Sequence, residues 1–119
     1  HANGELYACF GVMGGFMQPQ GHIQILTNMI DHQLDPQAAV DAPRFCITDD
    51  PPNSTVYLED GIPMNSQKRL AEMGHPTATL TNAQRIGIPG KAQVIYRDST
   101  SGALWAGSDP RSDGAAVSF

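Results

Sequence analysis

The residues with the clearest chemical potential in this chain are two adjacent glycines, Gly14 and Gly15, which follow a strand-like run. Because glycine has no Cβ, two successive backbone amides can come within hydrogen-bonding distance of an anionic oxygen. If that oxygen is the oxyanion of a tetrahedral intermediate, each N–H stabilises the transition state by roughly 2.7–4 kcal/mol. The alternative is a plain strand-to-helix turn that needs positive φ. The local pattern alone favours this plain turn.

The segment after the glycines, Phe16-Met17-Gln18-Pro19-Gln20-Gly21-His22, leads into a long apolar helix. Gln18, Gln20 and His22 are interpreted as residues that fix the loop and begin this helix. We interpret His22 as a hydrogen-bonding residue at the start of the helix rather than as a general base. His22 and His32 are too far apart along a helix to share an ion, so the sequence predicts no metal site.

The sequence offers no obvious nucleophile to match the glycine pair. No serine stands in a G-x-S-x-G context, and the other Ser and Thr residues lack a recognisable activating partner. An N-terminal nucleophile needs Thr, Ser or Cys at residue 1, where the free α-amine acts as the base, whereas residue 1 is His. We therefore expect a chain that could hold an oxyanion but could not attack a carbonyl by itself.

Two arginines stand next to prolines and acids, in Asp109-Pro110-Arg111 and after Pro43 at Arg44. A guanidinium in such a place either braces strand ends by charge-assisted hydrogen bonds or faces a carboxylate ligand bidentately. Bracing is the favoured interpretation for Asp109, Arg111 and Arg44.

The hydrophobic periodicity predicts alternating strands and helices, with a hairpin near the end of the chain. Strands are predicted at 5–12, 44–48, 56–59, 77–80, 92–97, 103–106 and 115–119, and helices at 20–34, 35–41 and 63–73. Turns or loops are predicted at 3–4, 49–53 and 82–90. Helix 20–34 is apolar on two sides, which is typical of a helix buried in a layered structure. The whole pattern indicates a mixed α/β domain over residues 1–119.

Composition narrows the classes of partner. The chain of 119 residues has 12 acidic and 7 basic side chains and no basic cluster, which argues against nucleic acid. No apolar run is long enough to span a membrane. The two cysteines, Cys9 and Cys46, are expected to be buried thiols rather than a disulfide framework. A cytoplasmic and a periplasmic or secreted location for a soluble chain both stay open.

Several blocks of the sequence together resemble the γ-glutamyltransferase family. The residues that carry the resemblance are the strings 13–22 (MGGFMQPQGH), 28–31 (NMID), 41–45 (DAPRF) and 104–114 (LWAGSDPRSDG), with similar segments at 74–76 and 90–93. The match covers nearly the whole chain in order, which is more specific than a lone glycine pair.

This resemblance implies part of the four-layer αββα sandwich of N-terminal-nucleophile hydrolases. In the family a precursor cuts itself into a large and a small subunit, and a threonine exposed at the start of the small one attacks a γ-glutamyl amide such as that of glutathione. The acyl group then passes to water or to an amino acid. On this resemblance the chain corresponds to the C-terminal part of the small subunit, and Gly14 and Gly15 to the pair whose amides hold the oxyanion. The resemblance thus reverses the local preference for a plain turn.

The resemblance also implies what the chain needs. The catalytic threonine and the residues that bind the glutamyl α-amino and α-carboxylate groups belong to upstream segments, so partners would be the rest of the small subunit and a large subunit, with no cofactor. A cephalosporin or glutaryl acylase fragment is the alternative enzyme, because the same post-glycine segment occurs in acylase-like relatives. A non-catalytic binding or assembly module is the alternative from another class.

Overall fold

A computed structural model describes residues 4–47, 54–85 and 87–118 of the chain, and within these ranges it contains six strands and four helices. In chain order they are β1 (Ala8–Met13), α1 (Met17–Ile30), α2 (Pro36–Asp41), β2 (Phe45–Ile47), β3 (Val56–Leu58), α3 (Met64–Glu72), β4 (Thr77–Thr79), α4 (Asn82–Arg85), β5 (Lys91–Arg97) and β6 (Leu104–Ser108). The predicted mixed α/β class is confirmed.

The strands form two three-stranded sheets. The first has the order β1-β5-β6 and is antiparallel throughout, with Cys9 opposite Ile95 and Ile95 opposite Ala106. The second has the order β2-β3-β4, in which β2 and β3 are antiparallel and β3 and β4 are parallel. Parallel neighbours require a crossover connection, and α3 lies in that connection.

The core lies between one face of the first sheet and the helices α1 and α2. Its buried residues are Val12, Ile25, Met29, Ala39, Val40, Ala92 and Val94. Gly107 of β6 allows α2 to come very close, because a Cβ there would lie 2.4 Å from the carbonyl oxygen of Pro36. On the opposite face Ile95 and Leu104 are exposed. Within the described residues, a sheet with helices on one face and exposed apolar side chains on the other corresponds to part of an αββα sandwich.

Helix α1 begins earlier than predicted, at Met17 rather than at Gln20. The N–H of Met17 donates to the carbonyl of Gly14 (3.0 Å) and that of Gln18 to the carbonyl of Gly15 (3.1 Å), so the glycines lead directly into the first turn. Helix α1 also ends earlier than the predicted Leu34, at Ile30.

The expected burial of α1 on two sides is wrong. Met17, Ile25 and Met29 are buried against β1, whereas Ile23 is 64% exposed and Ile30 54% exposed. Only one face of α1 lies on the sheet, and within the described residues no further layer covers the other. Periodicity identifies apolar faces but does not tell which of two faces the rest of the molecule covers.

Three further predictions need correction, and four lie wholly or partly outside the described ranges. The 82–90 loop contains the short helix α4, residues 115–118 form no strand, and Cys9 is exposed although Cys46 is buried as expected. The predicted 49–53 loop lies outside the described residues, as do Asn3 of the first turn, Thr48 and Phe119.

Candidate active site

The glycine turn, defined here as residues 13–17, connects the end of β1 to the first residue of α1. Gly14 has φ +147° and Gly15 has φ +57°, values that glycine adopts without the steric cost of a side chain. A Cβ on Gly15 would meet nothing within 4 Å, so one side of the turn is open. Both glycines are therefore required by backbone conformation, and Gly15 lies at the surface.

In the glycine turn the carbonyls of Gly14 and Gly15 accept hydrogen bonds, whereas the N–H groups of the same residues have no partner among the described residues. The carbonyl oxygens of Gly14 and Gly15 accept the helix-starting hydrogen bonds from Met17 and Gln18. Among the described residues, neither the Gly14 N–H nor the Gly15 N–H donates a turn or loop hydrogen bond. Two neighbouring unused donors beside the first turn of α1 suit an anionic oxygen.

Gly90, which immediately precedes β5, packs against this turn. A Cβ on Gly14 would lie 2.9 Å from the Cα of Gly90, and a Cβ on Gly90 would lie 2.7 Å from the carbonyl oxygen of Met13. Gly90 also has a positive φ of +71°. The two backbones therefore touch directly, with no room for a side chain between them.

The three polar residues after the glycines have different surroundings. Gln18 is exposed beside the turn, and its carbonyl lies against the ring Nδ1 of His22. The His22 ring also contacts the ring of Phe10, with centroids 5.3 Å apart. The side chain of Gln20 reaches the second sheet instead, donating to the carbonyl of Ile47 (3.0 Å) and accepting from its N–H (2.8 Å).

Gln24, which sequence reasoning missed, repeats this contact one turn along α1. Its side-chain amide donates to the carbonyl of Phe45 (2.9 Å) and accepts from the N–H of the same residue (3.0 Å). Two glutamines four residues apart lie on one face of a helix, so their spacing is the signal that could have identified them. Together Gln20 and Gln24 attach the edge strand β2 to α1.

The charged cluster, defined here as Arg44, Glu59, Asp109 and Arg111, contacts Gly90 through Arg44. Asp109 accepts from both arginines: Arg44 Nη2 is 2.7 Å from its Oδ2, and Arg111 Nη1 is 3.0 Å from its Oδ1. Asp109 also accepts from the backbone N–H groups of Ala92 (2.8 Å) and Arg111 (2.9 Å). The three charged residues singled out in the sequence thus meet in one buried network.

Glu59 is the member of the charged cluster that sequence reasoning missed. Its carboxylate accepts from Arg111 Nε (2.8 Å) and Nη2 and from the backbone N–H of Arg44 (2.8 Å). Glu59 is 1% exposed, so two carboxylates balance the two arginines in the interior. Its place directly after β3 and before an Asp-Gly turn gave no local signal of burial.

The pKa values of the charged cluster follow from burial and pairing. Burial by itself raises the pKa of Asp109, but the Arg111 N–H and the charges of Arg44 and Arg111 outweigh it and hold this pKa below its usual value. Burial lowers the pKa of Arg44, helped by the nearby charge of Arg111, and Asp109 only partly offsets this. Arg111 has a raised pKa, because its bonds and charge interactions with Glu59 and Asp109 outweigh the effect of burial.

Arg44 connects the charged cluster to the glycine turn. Its Nη1 donates to the carbonyls of Pro89 (3.1 Å) and Gly90 (3.2 Å), and its Nη2 donates to the carbonyl of Val40 (3.2 Å). The cluster therefore holds the backbone segment that packs against Gly14.

Neither a metal centre nor a membrane span is found in the described part of the chain. No three His, Cys, Asp or Glu residues there lie close enough to hold a metal ion. Among the same residues no helix has the length and apolar character needed to cross a bilayer.

The fold corresponds to part of the αββα sandwich of N-terminal-nucleophile hydrolases, and comparison with known proteins gives the family. Residues 1–119 match the gamma-glutamyltranspeptidase family model, and the chain belongs to this family. It is 32% identical over 110 residues to the glutathione hydrolase-like YwrD proenzyme of Bacillus subtilis (strain 168), covering 91% of this chain and 20% of that protein. The chain thus spans about one fifth of the length of this curated relative.

Solved structures agree with this assignment. The cephalosporin acylase from Bacillus halodurans superposes with a TM-score of 0.79 at 44% identity, over 89% of this chain and 19% of that one. A gamma-glutamyltranspeptidase from Pseudomonas nitroreducens, complexed with L-DON, gives 0.79 at 25% identity, over 100% of this chain and 58% of that one. Acylases and transpeptidases are therefore both among its structural neighbours.

Proposed function

We propose that residues 1–119 supply the oxyanion hole of a γ-glutamyl amide hydrolase or transferase. Family membership supports this reaction class, and the single observation that carries the assignment of residues is the glycine turn, with the unused N–H groups of Gly14 and Gly15. The nucleophile is a threonine at the start of a preceding segment. Residues 1–119 therefore work as part of a longer, processed protein, together with the rest of the small subunit and a large subunit.

In the proposed reaction the preceding segment supplies the nucleophile and residues 1–119 stabilise the oxyanion. The threonine hydroxyl attacks the γ-glutamyl carbonyl carbon, and its proton passes to the free α-amine of the same residue. The carbonyl oxygen becomes an oxyanion and accepts hydrogen bonds from Gly14 and Gly15, which are already fixed before the charge develops. When the tetrahedral intermediate collapses, the C–N bond breaks and the amine leaves with that proton. Water or an amino acid then takes the acyl group from the resulting ester.

The test measures release of p-nitroaniline from γ-glutamyl-p-nitroanilide. The complete protein containing residues 1–119 is expected to turn this substrate over, whereas residues 1–119 alone are expected to be inactive. Robust turnover by residues 1–119 alone would contradict the need for an external nucleophile. A complete, processed protein that released no p-nitroaniline from any acyl anilide would instead support a non-catalytic module.

A cephalosporin or glutaryl acylase is the second candidate, favoured by the 44% identity to the Bacillus halodurans cephalosporin acylase. The chemistry at the carbonyl is the same, but a glutaryl group lacks the α-amino group of a γ-glutamyl group. Rates on glutaryl- and γ-glutamyl-p-nitroanilide, measured side by side, decide between the two. A higher kcat/KM on the glutaryl compound would replace the first candidate by the second and leave the role of the glycine turn unchanged.

A further inference from the structure

We infer that Gly90 is a positioning residue for the oxyanion hole, because its backbone sets the orientation of the peptide unit that carries the Gly14 N–H. This inference rests on the proposed function of Gly14 and Gly15. It goes beyond that proposal by assigning a role to a loop glycine that is distant in the sequence and touches no reacting atom. It also identifies Arg44 as the side chain that holds Gly90 in place.

Gly90 lies directly against the carbonyl of Met13. A Cβ on Gly90 would lie 2.7 Å from the carbonyl oxygen of Met13 and 2.9 Å from Cγ1 of Val12. Real Cβ atoms do not come this close to a backbone oxygen. The side chain of Val12 could rotate, but the Met13 carbonyl belongs to the backbone and can yield only if its peptide plane turns.

The Met13 carbonyl and the Gly14 N–H belong to the same peptide unit. A peptide unit is planar, so rotation of the Met13 C=O rotates the Gly14 N–H by the same angle. The other donor, the Gly15 N–H, belongs to the next unit, whose carbonyl is held by the N–H of Met17 at 3.0 Å. Each of the two donors thus has its own backbone constraint, and Gly90 supplies the one for Gly14.

Arg44 fixes the position of Gly90. Its carbonyl accepts from Arg44 Nη1 at 3.2 Å, and the preceding carbonyl, that of Pro89, accepts from the same nitrogen at 3.1 Å. Arg44 is 1% exposed and is held by Asp109 at 2.7 Å, so its position is set by the interior. Arg44, Gly90 and the Met13–Gly14 peptide form a continuous series of contacts.

The experiment compares Gly90→Ala with Gly87→Ala in the complete protein. Gly87 lies in the same loop, has no positive φ, and would accept a Cβ with nothing within 4 Å, so it is a matched control. A misplacement of the donor on the order of 1 Å costs about 10²-fold in kcat. Gly90→Ala is therefore expected to lower kcat for the acyl anilide with KM unchanged, while Gly87→Ala leaves both unchanged.

A double-mutant cycle that combines Gly90→Ala with a backbone ester distinguishes a positioning role of Gly90 from a merely structural one. Replacing the Met13–Gly14 amide by an ester removes the Gly14 N–H without adding a side chain. If Gly90 acts through this donor, Gly90→Ala lowers kcat in the amide protein but has little further effect in the ester protein. Fully additive losses, or a normal kcat in Gly90→Ala, would overturn the inference. An ester that leaves kcat unchanged would instead overturn the proposed oxyanion function.

A second pair of variants covers the case in which Gly90→Ala does not fold. Arg44→Lys keeps a charge beside Asp109 but loses the planar fork that holds the loop carbonyls, whereas Arg111→Lys makes the same exchange in the cluster away from Gly90. Arg44→Lys is expected to lower kcat more than Arg111→Lys does, again with KM unchanged. Equal kcat values in the two variants would contradict the inference.

Discussion

The glycine turn and the charged cluster both contact Gly90, and they differ in how their polar groups are paired. In the cluster, both oxygens of Asp109 accept hydrogen bonds in a site that is 1% exposed. In the turn, the N–H groups of Gly14 and Gly15 are unused among the described residues, and Gly15 is at the surface.

The difference shows how one small domain combines rigidity with free donors. Buried charges need partners, and both arginines find some of theirs on backbone carbonyls, so the cluster fixes the backbone that it contacts. The turn leaves these donors unpaired within the described residues, while its own carbonyls anchor it to α1. The comparison predicts that removing a charge from the cluster alters stability most, whereas removing an N–H donor from the turn alters catalysis.

The largest effect on stability is expected from Asp109→Ala. This change removes the shared partner of Arg44 and Arg111 and leaves buried positive charge uncompensated. Breaking a buried ion pair from one side costs about 3–5 kcal/mol of unfolding free energy. Urea denaturation followed by far-UV circular dichroism measures it, and a loss below about 1 kcal/mol would place Asp109 among ordinary surface carboxylates.

Low pH is expected to reduce the unfolding free energy through the same carboxylate, that of Asp109. The folded pKa of Asp109 is lower than the unfolded value of about 3.9, so its contribution to stability is present above that pH. The contribution is lost as the pH falls through the lower, folded pKa. Asp109→Asn is therefore expected to flatten the decline in unfolding free energy below about pH 4. Parallel declines in the two proteins would contradict the assignment.

The smallest effect is expected from Glu72→Gln, which removes an ion pair of the exposed kind. Arg69 and Glu72 are 3.5 Å apart on α3, with side chains 76% and 67% exposed. Such pairs change stability by less than about 0.5 kcal/mol because water screens both charges. Glu72→Gln, measured by the same urea titration, is the matched control for Asp109→Ala. Equal losses of unfolding free energy in the two variants would contradict the contrast between buried and exposed charges.

The sequence predicted most elements because their signals are local. Asp35 caps α2 as expected, its Oδ1 accepting from the N–H of Ala38 at 2.8 Å, and Pro36 stands at the first helical position. The hairpin of β5 and β6 and the end of α3 before Gly74 are confirmed for the same reason. The exposure of Ile23 could not be predicted, since it depends on what covers the second face of α1.

The candidate site was only partly predictable. Gly14 and Gly15 stand out as an adjacent pair after a strand, but the local pattern alone favours a plain turn, and only the resemblance of the surrounding blocks indicates an oxyanion hole. Arg44, Asp109 and Arg111 stand out because they lie next to prolines. Glu59 carries no such signal, and Gly90 begins one of the segments similar to the family, 90–93, without any indication of what it packs against. Their roles depend on contacts with residues that are distant in the sequence, which only the assembled fold brings together.

The most direct measurement of the central claim is the kcat of the complete protein with one backbone ester at a time. Esters that remove the N–H of Gly14 or of Gly15 are each expected to lower kcat about 10²–10³-fold with KM little changed. An ester at Gly74, whose N–H donates to the carbonyl of Ala71 in a turn far along the chain from the glycine pair, controls for the substitution itself. If the esters at Gly14 and Gly15 reduce kcat no more than the ester at Gly74 does, the glycine turn is not the oxyanion hole.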